Sequence, residues 1–135
     1  MSTSTLVDLT TLDFVGEIAG FPQARHFALV PIGESDVLFR LRSLDVADLE
    51  FVVAAPGAFF PDYAPEIDDS TAERLDLDHA DDALVLVVLN VGADLTSTTA
   101  NLLAPIVVNS QSLVAAQAVL GGPSTALREP LPVGR

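Results

Sequence analysis

Two histidines, nineteen carboxylates and no cysteine are the side chains from which this 135-residue sequence would have to assemble a reactive centre. The densest carboxylate run is Asp76-x-Asp78-x-x-Asp81-Asp82. A calcium loop needs oxygen ligands at alternate positions, a glycine for its sharp turn and a distant bidentate glutamate. Here Ala80 takes the third alternate position, and both the glycine and the glutamate are missing, so a solvated acidic face is the favoured reading. His79 lies in this acidic stretch, where carboxylates favour its charged form, but no second histidine is near it in sequence. His26 falls in an apolar segment and reads as a packed or surface histidine rather than a base. Gly33-Glu34-Ser35-Asp36-Val37 lacks the second glycine of a nucleophile elbow. Gly121-Gly122-Pro123 has no lysine after it and is not a phosphate loop. Carboxylate pairs that cleave glycosides come with aromatic sugar platforms, and this chain has no tryptophan and one tyrosine. The sequence therefore predicts no catalytic residue, no cofactor and no metal; an Asp-rich metal-dependent enzyme is the weakest alternative.

Charge says more about partners. Six arginines, no lysine and nineteen acids leave a net charge of −13. A field of that sign repels phosphates, which argues against direct binding of nucleic acid and against anionic membrane surfaces. A basic protein is the natural complement, although acidity also serves solubility alone. The longest apolar run, Ala83 to Leu89, is too short to cross a bilayer as a helix, and no basic-then-apolar leader opens the chain. A cytoplasmic location is the expectation. The length suits a single domain, placed at residues 1–123, with a mobile, breaker-rich tail at 124–135.

The elements that must carry these residues read mainly as strands. Leu6 to Ile18 suggests a strand pair or a bent strand, with Gly16 as a candidate bulge. His26 to Ile32 is a second strand, and Gly33 to Asp36 a hairpin-like turn. Val37 to Ser43 sets Val37, Phe39 and Leu41 on one face and Arg40 and Arg42 on the other, a half-buried strand. Leu49 to Ala55 follows, stopped by Pro56-Gly57. Ser70-Thr-Ala-Glu73 has capping-box spacing and predicts a helix of about two turns. Ala83 to Val91 reads as a strand covered on both faces. Pro105 is expected at the start of the strand Ile106 to Val108, with Asn101 and Asn109 as turn residues on either side. Ser110 to Leu120 is open between helix and strand on propensity and alternation. Short strands separated by turns predict a mainly β fold: a small antiparallel barrel-like or sandwich domain with one or two short helices.

Thr99-Ala-Asn101-Leu-Leu-Ala-Pro105-Ile-Val-Val-Asn109 resembles the strongest signature of the flagellar assembly factor FliW family, and Gln117-Ala-Val-Leu120 is similar to its next block. Gly20-Phe21 with Phe27, Phe39 to Ser43, and Pro56 through Phe59-Phe60-Pro61-Asp62-Tyr63 follow in the expected order. Arg40-Leu41-Arg42-Ser43 and Leu103 depart from the usual pattern. The resemblance implies a barrel-like β protein and a strand, not a helix, over Val114 to Leu120. It also implies a cytoplasmic regulator that binds the translational repressor CsrA away from its RNA site, and so relieves repression of flagellin synthesis. Flagellin is the competing partner, and a flagellin-holding chaperone without CsrA binding is the alternative.

Together with the charge, this places Asp62, Glu66, Asp68 and Asp69 in or near the partner surface, with Tyr63 as an aromatic anchor. The bland reading of Phe59 to Tyr63 is core plus a turn, the tyrosine hydroxyl finding an internal partner. Asn101 and Asn109 are assigned mainly to holding the corner around Pro105, with binding as a second role.

Overall fold

A computed structural model of the chain describes residues 11–16, 18, 21, 23–34, 37–63, 65, 67–79, 82–94, 97–120 and 128–131. Its eight strands are β1 (Thr11–Phe14), β2 (His26–Pro31), β3 (Leu38–Ser43), β4 (Glu50–Ala54), β5 (Ala83–Asn90), β6 (Thr99–Asn109), β7 (Val114–Gln117) and β8 (Glu129–Pro130). The helix α1 (Asp69–Arg74) and a short 3-10 turn at Pro56–Ala58 lie between β4 and β5.

The order β5-β4-β3-β2-β1-β7-β6, with β6 pairing back onto β5, closes a seven-stranded barrel. Closure removes the exposed edges that an open sheet would have to protect. Every ladder is antiparallel except β1 with β7, where Asp13 and Phe14 lie beside Val114 and Ala115. The mainly β, barrel-like expectation is thus met, and Val114 to Gln117 is a strand pairing with Ile106 to Val108.

Strand alternation decides what fills the barrel. Leu12, Phe14, Phe27, Leu41, Val53, Leu86, Ile106 and Val108 point inward and form the main core. Phe27 sits at its centre, in edge contact with Phe14 (5.2 Å between centroids) and tilted against Phe51 (6.2 Å). The alternating residues on β4, β5 and β6 are buried too, because irregular segments cover the outside. Phe59, Phe60, Tyr63 and the buried Leu131 pack over Ala54, Val87, Leu89 and Ala100. Leu75, Ile67 and Leu77, around α1, pack over Val107, Ala116 and Ala118. This two-sided cover is why β5 reads as an unbroken apolar run. Leu84, near the start of β5, is the exposed one among its apolar residues, at 43%.

Three local expectations change. β6 already begins at Thr99, and Pro105 lies inside it rather than at a strand start. Leu86 pairs with Ile106 and Val88 with Asn101, so Val87 alone faces residues 102–105 in a wide bulge. Pro105 has no N–H to give the ladder, and it sits where the ladder is interrupted. The helix starts two residues earlier than the capping-box spacing suggests. The Ala72 amide closes its first turn on the Asp68 carbonyl (3.0 Å), so Asp68 is the N-cap and Ser70 lies inside the helix. Gly16 lies beyond the end of β1, in a left-handed bend (φ +93°), rather than in a strand bulge. Of the stretch read as a mobile tail, residues 128–131 are described: Glu129–Pro130 pairs with Thr99 and Ala100, and Leu131 is buried. No helix among the described residues is long and apolar enough to cross a membrane.

Candidate partner-binding surface

Four successive carbonyls of the β6 bulge would lack ladder partners, and each finds another donor. The Tyr63 hydroxyl donates to Leu102 O (2.6 Å), the Leu120 amide to Leu103 O (2.7 Å), Gln117 Nε2 to Ala104 O (3.1 Å) and the Ala118 amide to Pro105 O (2.9 Å). Asn101 Oδ1 accepts from the Leu103 amide (3.0 Å), which tightens the entry to the bulge. These bonds fasten the aromatic segment and the chain beyond β7 onto β6. Tyr63 is half-buried, and loss of solvent pushes its phenol up to about 12.

Around that bond lies a groove of about 480 Å³. Phe59, Phe60, Tyr63 and Leu102 form its walls, while Asp62 and Glu129 are its charged residues among those described. The 3-10 turn, closed by Phe59 and Phe60 amides donating to Pro56 O (3.0 and 2.7 Å), sends the aromatic residues across the barrel. β8 supplies Glu129 and Pro130 from the far end of the chain.

The expected partner residues do not form one patch. Asp62 and Tyr63 line the aromatic groove. Asp69 lines a different, polar depression with Glu73, Asp76 and Asp78 beside α1. Asp68 is exposed at the helix N-cap. Asn101 faces a third concavity near Val52 and Leu89, and Glu66 lies outside the described residues. Asn109 is 6% exposed and holds structure: its Oδ1 accepts from Gln111 and Ser112 amides (2.8 and 3.2 Å). Its Nδ2 donates to Leu75 O and Asp76 O (2.8 and 3.3 Å). Glu129 and Leu102 escaped the sequence reading. Leu131, an apolar residue just after the pair Glu129-Pro130, is the signal that could have found this strand.

The basic residues are largely engaged. Arg40 and Arg42 both pair with Glu50 (3.0 and 3.4 Å), and Arg74 donates to Val15 O. The surplus carboxylates are left facing outward. His26 is exposed on β2, with Nδ1 3.2 Å from Asp45 Oδ2 and Nε2 3.5 Å from Asp13 Oδ1. Arg25 and His26 amides both donate to Asp45 Oδ2 (2.8 Å each), and they hold that carboxyl below its ordinary range. Among the described residues no three His, Asp or Glu side chains are grouped to hold a metal ion; Asp81 lies outside them.

Fold and surface together define a small, acidic closed β-barrel bearing an aromatic, acid-rimmed groove on its outer wall. A family model described as FliW protein matches residues 2–131, and this chain belongs to the FliW family. It is 36% identical over 118 residues to the flagellar assembly factor FliW of Bacillus subtilis, covering 87% of this chain and 82% of that one. It is 34% identical over 121 residues to that of Bacillus licheniformis, covering 90% and 85%. A crystal structure of a flagellar assembly factor FliW superimposes with a TM-score of 0.76 at 32% identity, covering 84% of this chain and 79% of the other.

Proposed function

We propose that this protein is a flagellar assembly factor that acts in the cytoplasm by occupancy rather than by catalysis. It binds the RNA-binding repressor CsrA, relieves repression of flagellin synthesis, and is taken out of that complex by flagellin. The observation that carries the proposal is the FliW match over residues 2–131, together with relatives named as flagellar assembly factors. The surface chemistry agrees in direction. A repressor that holds RNA must be basic, and a chain of net charge −13 attracts it while repelling the RNA. Outward-facing Asp62, Asp68 and Asp69 supply that attraction, with Glu66 as a further candidate from the sequence.

The test uses purified protein, CsrA and flagellin in calorimetry and in competition. Each partner binds alone, and excess flagellin releases CsrA. Reversing Glu66 and Asp68 to Lys weakens CsrA binding, steepens no unfolding transition, and leaves the circular dichroism spectrum unchanged. Binding of flagellin alone would reduce the protein to a flagellin-holding chaperone. Retention of neither protein would overturn the proposal.

A further inference from the structure

The aromatic groove has a chemistry more specific than general acidity. Its walls are aromatic and aliphatic side chains from Phe59, Phe60, Tyr63 and Leu102, and the tyrosine hydroxyl already donates its proton to Leu102 O. Among the described residues no basic side chain lines it, and the ionisable groups besides the tyrosine are Asp62 and Glu129. Arg128 precedes Glu129 but is not among the lining residues. A planar cation fits such a site in two ways at once. Aromatic faces attract positive charge through the ring quadrupole, and a carboxylate accepts paired N–H groups in the plane of the cation. A guanidinium is planar, permanently charged and weakly hydrated, so it gives up water for an aromatic wall more readily than an ammonium does.

We infer that the groove formed by Phe59, Tyr63, Leu102, Asp62 and Glu129 receives an arginine side chain, flanked by apolar residues, from a basic protein partner. The inference rests on the partner class proposed above and narrows it to one subsite. The carboxylates beside α1 keep their part in the general attraction, while the subsite itself is made by Asp62 and Glu129, which lie 67 positions apart in sequence and line one groove only because β8 pairs with β6. Tyr63 works here with its ring, since its hydroxyl is held by the bulge. The two prolines at the rim, Pro61 and Pro130, cost little entropy to hold in place, which keeps the groove open before anything binds.

The test has two arms on the full chain. In the first, ¹⁵N-labelled protein is titrated with the capped peptide acetyl-Leu-Arg-Leu-amide and, separately, with the same peptide carrying citrulline, which has the shape of arginine without its charge. Expected are chemical-shift changes at residues 59–63, 102 and 129–130 with arginine, several-fold weaker with citrulline, and absent in the D62N/E129Q double variant. No change at those residues, or an equal response to citrulline, would overturn the inference. In the second arm, affinity for CsrA is measured for the natural chain and for D62N/E129Q. Asp62 is exposed and Glu129 half-buried, the substitutions keep side-chain size, and circular dichroism checks that the variant keeps its fold. A loss of tenfold or more supports the groove as the docking subsite, and an unchanged affinity refutes it. If the natural chain fails to bind CsrA while the arginine peptide still binds at the groove, the partner reading falls and the ligand class of the groove stands.

Discussion

Asn109 gives the sharpest prediction about how this barrel is held. From the end of β6 its amide holds two other segments: the β6–β7 turn through Gln111 and Ser112, and the end of α1 through Leu75 and Asp76. Asn109→Ala removes two bonds of 2.8 Å and two longer ones. The Leu75 carbonyl belongs to a residue only 1% exposed, and it would be left without its donor. An unsatisfied buried group costs about 1–3 kcal/mol, and the lost turn bond about 1 kcal/mol more. The expected destabilisation is therefore about 2–4 kcal/mol, or roughly 8–15 °C in Tm for a chain of this size. Urea and thermal unfolding followed by circular dichroism measure it directly. Asn109→Asp keeps the acceptor half but turns a carboxylate towards two carbonyls, and at neutral pH it is expected to cost at least as much. Partner affinity per folded molecule stays constant in both. A loss below about 1 kcal/mol would show that the amide does not couple helix to turn, and the reasoning would fail.

Tyr63 is the single tyrosine in a chain without tryptophan, so tyrosinate absorbance reports it alone. Its midpoint is expected near 12 in the folded protein and near the ordinary value of about 10 in urea. With the folded value raised, this group's contribution to stability is whole below the unfolded value and is lost as pH climbs towards the folded one. A folded midpoint at the ordinary value would contradict the burial described. Asp45 has the opposite sign: its lowered folded value contributes stability above the ordinary carboxylate range, and this is lost as pH falls through the folded value. Asp45→Asn should lower the urea midpoint at neutral pH, with the gap closing as pH falls below the ordinary carboxylate range; a gap independent of pH would refute it. Gly16→Ala forces a side chain into a left-handed bend and against the Arg74 guanidinium. It is expected to cost about 1–2 kcal/mol in chemical denaturation, and a neutral result would mean that the bend relaxes freely.

Much of the barrel was legible because its strands obey period-two burial. Leu41 buried between exposed Arg40 and Arg42 is visible in the letters alone. The doubly covered β5 could be read from its apolar run. What failed was local choice between equivalent signals. Asp68 and Ser70 are both residue types that cap helices well, and the helix starts after Asp68 without a side-chain cap bond from it, so cap chemistry alone does not separate the two. Pro105 was read correctly as a residue that breaks a ladder but was assigned the wrong kind of break, because a bulge depends on the partner strand. The groove was legible only in its first half. Phe59 to Tyr63 form a continuous motif, whereas Leu102 and Glu129 join it through tertiary pairing that no spacing rule encodes.

The parallel contact between β1 and β7 has a consequence for how the protein comes into being. Asp13 must wait for Val114, 101 positions downstream, before the cylinder can shut. A chain emerging from the ribosome therefore cannot close the barrel until β7 has been made, and pairings of such long sequence separation form slowly. Fragments ending before β7 would expose the apolar interior of an unclosed sheet, prone to self-association, and would lack Glu129 and Pro130 from the groove.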